Sequence, residues 1–123
     1  MNVENKYFGD VMSENCPSRS LLNHVTSRWG VLVLIALQNQ TLRFSDLRRI
    51  IGGVSEKMLS QTLKTLEQDG FVHRKSFNVV PPHVEYSLTT HGQGVVVHVK
   101  ALATWLEDNL QAMTEARGVS PAK

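Results

Sequence analysis

Between Ser55 and Gln68, five side chains that hydrogen-bond or carry positive charge recur at helical spacing: Lys57, Ser60, Gln61, Lys64 and Gln68. On a helix they share one face, opposite a stripe of Leu59, Leu63 and Leu66 flanked by Met58 and Thr62. Glu56, at the start, is the one acid near that face. Amides, hydroxyls and ammonium groups of this kind read base edges in a major groove or hold backbone phosphates. Lys57, Ser60, Gln61 and Lys64 are therefore candidate base-facing residues, and Met58 is a candidate contact to a thymine methyl. Arg43, Arg48, Arg49, Ser55, Arg74 and Lys75 are candidate phosphate contacts. Any solvated helix also shows lysine, serine and glutamine outward, so this face gains meaning only from the elements around it.

Those elements form a recognisable order. Ser45 is placed to cap a short helix, with Asp46 near the positive end of its dipole, Leu47, Ile50 and Ile51 inward, and Arg48 and Arg49 outward. Gly52-Gly53 ends that helix, because glycine takes the left-handed cap conformation without strain. Ser55 caps the next, which Asp69-Gly70 closes. Two helices separated by Gly-Gly-Val-Ser have the spacing of a helix-turn-helix. Upstream, Pro17 suits the first turn of a helix beginning near Ser18, in which Leu21, Leu22, Val25 and Trp29 recur at helical spacing. Val31 to Leu37 is apolar all round, so this helix is expected to be deeply buried. Residues 1–15 are polar and weakly patterned, a short helix at most, with a frayed end.

After Gly70 the pattern becomes alternating. Residues 71–75 and 84–88 predict two strands around a loop from Ser76 to His83, since Pro81-Pro82 cannot continue a central strand. Arg74 and Lys75 lie at the base of this hairpin, where they reach a flanking phosphate or simply guard an edge against aggregation. A basic helix-turn-helix followed by a hairpin is a winged helix. Thr89 or Thr90 then caps a last helix, with Val95, Val99, Leu102, Trp105 or Leu106, and Leu110 as its apolar stripe. From Arg117 a loose tail is expected.

Composition bounds the reading. A chain of 123 residues, 41% hydrophobic and 20% charged, suits one domain. The longest apolar run, Trp29 to Leu37, is far short of the roughly 20 residues that cross a bilayer, and no secretory leader pattern opens the chain. Neither a membrane nor secretion is expected, and one cysteine fits a reducing cytoplasm. The net charge of +2 is unevenly spread: residues 1–18 carry −2, residues 19–75 carry +5 and residues 76–123 carry −1. A polyanionic partner suits the basic middle.

Cys16 is the only cysteine. At a helix start beside Pro17 and near Arg19, dipole and charge favour its thiolate, the form that attacks electrophiles or is oxidised. The plainer reading is a buried thiol filling space. The five histidines are scattered; His91 and His98 are seven apart without a cysteine or carboxylate at ligand spacing, so no metal site is expected. No nucleophile elbow or phosphate loop is present, and Ser55 serves better as a cap than as a nucleophile. Neither catalytic residues nor a cofactor are expected.

A resemblance covers most of the chain. Cys16-Pro17-Ser18 through Arg28-Trp29, Arg43-Phe44-Ser45-Asp46-Leu47-Arg48-Arg49 and Val54-Ser55-Glu56-Lys57-Met58-Leu59 resemble the HxlR-type transcription regulators. So do Leu66-Glu67-Gln68-Asp69-Gly70 and Val80-Pro81-Pro82-His83-Val84-Glu85-Tyr86-Ser87-Leu88-Thr89. Where the family usually has Gly-Gly-Lys-Trp, this chain has Thr26-Ser27-Arg28-Trp29. The resemblance implies a bacterial, MarR-related regulator of α+β, mostly α class: a winged helix-turn-helix with added N- and C-terminal dimerisation helices. It implies one domain over 1–123, with an arm at 1–15, a winged-helix core at 16–88 and a dimerisation helix at 89–116. A homodimer would set two recognition helices about 34 Å apart on a near-palindromic operator in double-stranded DNA. Cys16 matches the family's N-terminal cysteine, which in several members senses quinones, aldehydes or oxidants. The implied function is repression released when a small electrophile or oxidant modifies Cys16. The rivals are a regulator with a non-thiol ligand, a winged helix that binds protein instead of DNA, and a small redox enzyme using Cys16.

Overall fold

The computed structural model describes residues 9–117. Five helices and one hairpin follow in the order α1 (Pro17–Val25), α2 (Arg28–Ala36), α3 (Phe44–Ile50), α4 (Glu56–Gln68), β1 (Val72–Phe77), β2 (His83–Leu88) and α5 (Thr90–Ala116). The fold is the winged helix-turn-helix that the order of elements predicts, mostly helical with one small antiparallel sheet. Helix α2 lies at the centre, touching α1, α3, α4 and α5. Its Val33 and Leu34, with Leu37 just beyond, pack with Leu47, Leu59, Leu63, Leu66, Val96 and Val99 in a single core.

The expected helix from Ser18 through the apolar run is in fact two. Thr26 closes α1 through its backbone N–H and hydroxyl, both donated to the Leu22 carbonyl at 3.0 and 2.6 Å. Ser27 opens α2: its hydroxyl accepts from the Gly30 N–H at 3.1 Å and donates to the His24 carbonyl at 2.8 Å. A Cβ on Gly30 would lie 2.2 Å from that carbonyl, so the corner closes only around glycine. The all-round burial expected of α2 also fails at Leu32, which faces out.

Helix α3 starts earlier than expected. Arg43, not Ser45, is its N-cap, and the Asp46 carboxylate accepts from the Arg43 N–H at 3.1 Å. Ile50 points to solvent, while Leu47 and Ile51 supply the inner face. Gly53, at φ +83°, makes the turn into α4.

The wing pairs Val72 with Leu88 through Phe77 with His83, so both strands run further toward the tip than the sequence pattern predicts. The connecting loop shrinks to residues 78–82. Leu42 exchanges backbone hydrogen bonds with Tyr86 at 2.9 and 2.8 Å and ties the wing to the start of α3.

Thr89 caps α5, accepting from the Gly92 N–H at 3.0 Å while its hydroxyl donates to the Gly70 carbonyl at 2.6 Å. The buried residues of α5 are Gly92, Val96 and Val99 near its start and Thr114 near its end; Val95 is only partly covered. Further along, Leu102, Trp105, Leu106 and Leu110 are exposed. Among the described residues no helix is long and apolar enough to cross a membrane. The frayed opening and loose tail expected from the sequence fall largely outside the described residues.

Candidate nucleic-acid interface

Helix α4 divides by burial as its sequence predicts. Leu59, Leu63 and Leu66 are 0–2% exposed, whereas Lys57, Ser60, Gln61, Lys64 and Gln68 all face solvent. Met58 is 38% exposed and so remains available to an apolar partner. The Ser55 hydroxyl accepts from the Met58 N–H at 3.1 Å, which satisfies a free amide of the first turn and leaves the hydroxyl hydrogen for an outside acceptor. Gln61 and Met58 also border a small hollow shared with His24 and Ser27 at the α1–α2 corner.

The basic residues separate into two kinds. Arg48 lies 3.5 Å from Glu56, and Arg49 lies 3.2 Å from Asp46, so both guanidinium groups already have an acid beside them. Asp46 is held below the usual carboxylate range chiefly by the Arg43 N–H, with Arg49 adding to it. Arg43, Arg74 and Lys75 are exposed, Lys75 resting 4.9 Å above the Phe77 ring. Arg74 and Lys64 line one notch together with Ser60, Glu67 and Tyr86, at the junction of α4 and the wing.

Tyr86 was not singled out from the sequence. Its place depends on strand pairing, which sets it opposite Arg74; no spacing along the chain signals that. His24 likewise carries no signal in the sequence pattern, yet its Nδ1 lies 2.5 Å from Asp69, the residue ending α4. His83 is paired with Glu85 at 2.7 Å within the wing. Among the described residues no group of three or more metal-ligating side chains occurs.

Cys16 is the N-cap of α1 and is half-buried, not packed away as filler. Its sulfur lies 2.9 Å from the Ser18 hydroxyl and accepts from the Asp10 N–H at 3.2 Å. These bonds hold the thiol below its ordinary pKa, the Ser18 hydroxyl contributing most, against partial burial and the Asp10 charge. The expected help from Arg19 is replaced by a neutral hydroxyl two residues along.

A short helix, a tight turn, a second helix with an outward polar face, and a hairpin behind it define a winged helix-turn-helix regulator of transcription. The chain belongs to the HxlR-like helix-turn-helix family, whose pattern matches residues 24–114. It is 62% identical over 109 residues to the HTH-type transcriptional regulator YtfH of Escherichia coli, covering 89% of this chain and 86% of that one. The structure of the transcriptional regulator ytfH from Salmonella typhimurium superposes with a TM-score of 0.84 at 61% identity, over 89% of this chain and 98% of that one. The redox regulator HypR in its oxidized form matches with a TM-score of 0.70 at 35% identity, over 76% and 97% of the two chains.

Proposed function

We propose that this regulator is a homodimer that reads a near-palindromic operator in double-stranded DNA, represses from it in the cytoplasm, and lets go when an electrophile modifies Cys16. The observation that carries the DNA reading is the split of α4: three leucines sealed in the core, and an outward face of amide, hydroxyl and ammonium groups with nothing from the described chain lying over it. In this reading Lys57, Ser60, Gln61 and Lys64 meet base edges, with Met58 against a thymine methyl. Arg43, Arg48, Arg49, Ser55, Arg74 and Lys75 hold phosphates. Residues 16–88 form the DNA-binding unit and 89–116 the dimerisation helix, whose Leu102, Trp105, Leu106 and Leu110 offer an apolar surface to a second copy.

Support for the thiol switch comes from the Ser18 and Asp10 hydrogen bonds to sulfur and from the likeness to a redox regulator. A quinone needs only one proton besides: the thiolate adds to a ring carbon, an S–C bond forms as the ring C=C pair shifts onto a carbonyl oxygen that takes a proton from water, and the hydrogen on the attacked carbon moves to the second oxygen to give the hydroquinone adduct.

Footprinting on the DNA upstream of its own gene, with and without a quinone, tests the whole reading. Gln61→Ala should relax base choice at one position in each half-site. A uniform loss of affinity across sequences would remove Gln61 from base reading. Cys16→Ser should bind as well as the parent and ignore the quinone; release of that variant by quinone would exclude the thiol as sensor.

A further inference from the structure

The sequence pattern places Lys64 among the base readers and Arg74 on a separate phosphate. Their positions in the fold do not keep them apart. Ser60 and Lys64, one helical turn apart on α4, line the same notch as Arg74 of β1 and Tyr86 of β2. Arg74 and Tyr86 are cross-strand partners, so they stand side by side on one face of the wing. That face also carries Val72, which is buried, so it is the side turned toward the body of the domain.

The two cations of this notch are not neutralised by an ion pair. Arg48 and Arg49 each have an acid at hand, but among the described residues neither Lys64 nor Arg74 forms an ion pair. Glu67 lines the notch without forming an ion pair with either. Two cations and one carboxylate leave one positive charge unmatched in a space of about 310 Å³. The packing of α4 on β1 sets two like charges on the border of one space, and Ser60 and Tyr86, each with a hydroxyl, border it too. One singly charged anion accepting several hydrogen bonds fits this arrangement, and a backbone phosphate is such a group.

We infer that Lys64 and Arg74 hold one and the same DNA phosphate, seated in the notch between the recognition helix and the wing, with Ser60 and Tyr86 as hydroxyl donors. This rests on the DNA reading above and changes it at two residues: Lys64 and Ser60 fix the depth and angle of α4 in the groove and do not choose a base. Glu67 sets the limit on affinity by opposing the same phosphate.

The test uses the full-length protein and the duplex that it protects upstream of its own gene, with a neutral methylphosphonate substituted at one phosphate at a time. Lys64→Gln and Arg74→Gln should each weaken binding to the unmodified duplex and flatten the log–log salt dependence by about 0.9. One methylphosphonate position should erase both losses, leaving the two variants within about twofold of the parent there, the usual margin of additivity. Glu67→Gln should tighten binding to the unmodified duplex and give no gain at that same position. Both cations are exposed, so unchanged thermal melting will show that the variants fold. Losses that map to two different phosphates, or a Lys64→Gln variant with altered base preference, would overturn the inference while leaving the DNA reading intact. A protein that protects no duplex would overturn both.

Discussion

Gly92 and Gly94 lie two residues apart in the first turns of α5, and helix propensity alone predicts the same outcome for replacing either by alanine, a gain of about 0.8–1.0 kcal/mol. The structure predicts opposite signs. A Cβ on Gly94 would meet nothing within 4 Å, so Gly94→Ala should stabilise by roughly 0.5–1 kcal/mol. A Cβ on Gly92 would stand 2.1 Å from the Phe71 carbonyl oxygen and 3.2 Å from the Leu88 Cβ. Neither is a flexible side-chain end. The Phe71 oxygen is fixed further by the hydrogen bond it accepts from the Thr89 N–H at 3.0 Å. Relief therefore requires α5 to lift off the junction of α4 and β1, and such overpacking costs about 1–3 kcal/mol. That equals or exceeds the propensity gain, so Gly92→Ala should be net destabilising by up to about 2 kcal/mol. Urea unfolding of the three proteins at equal chain concentration separates the signs, the fixed concentration removing any contribution from association. A Gly92→Ala midpoint well above the parent's would show that α5 is not seated on Phe71.

Other perturbations probe the site more directly. Ser18→Ala removes the largest influence lowering the Cys16 pKa, so the pH midpoint for alkylation by iodoacetamide should move upward; an unmoved midpoint would mean that the hydroxyl does not stabilise the thiolate. Asp46 is depressed in the folded state, so its contribution to stability is present above its unfolded value and is lost as pH falls through its folded one. Asp46→Asn should therefore lower the urea midpoint at neutral pH and flatten its fall in acid, and a parallel acid limb in both proteins would refute the assignment. Leu63→Ala, at a position 2% exposed beneath the polar face of α4, should cost about 2–5 kcal/mol by urea unfolding, and a loss below 1 kcal/mol would mean that the helix is not anchored there.

What was legible in the sequence was what local chemistry decides. Ser55 and Thr89 announce their helices because a side-chain oxygen meets an amide three residues on, a bond needing no distant partner. The leucine stripe of α4 follows from helical spacing alone. The misplacements share a different cause. An unbroken apolar pattern through Trp29 hid the corner at Ser27, because that corner depends on a hydroxyl bonded backward to His24 and on the closeness of Gly30 to the same carbonyl. Ser45 is a better cap by residue type than Arg43, but Asp46 bonds back to the Arg43 N–H and starts the helix earlier. The strands outran their expected ends since Ser76 pairs with Val84 and Phe77 with His83, cross-strand facts that one strand's composition does not hold. The sharing of a notch by Lys64 and Arg74 was invisible for the same reason.

Helix α5 gives the strongest argument for a second subunit. Its 27 residues extend about 40 Å at 1.5 Å each, yet its core contacts are concentrated at Gly92, Val96 and Val99 in the first three turns. Beyond them Leu102, Trp105 and Leu106 are 54, 54 and 45% exposed, and Leu110 and Met113 continue the same apolar band. A helical extension of this length gains little from propensity in water, since most helical stability in proteins comes from packing an amphipathic face. A monomer would have to keep that band wet and ordered together. Dilution followed by sedimentation and circular dichroism separates the cases: in the proposed dimer, helical signal from the far half of α5 falls as the dimer dissociates, and Trp105→Asp raises the concentration at which half the dimer has dissociated without touching the α4 face. A monodisperse monomer retaining full helicity would refute this, and with it the two-fold geometry that sets the operator.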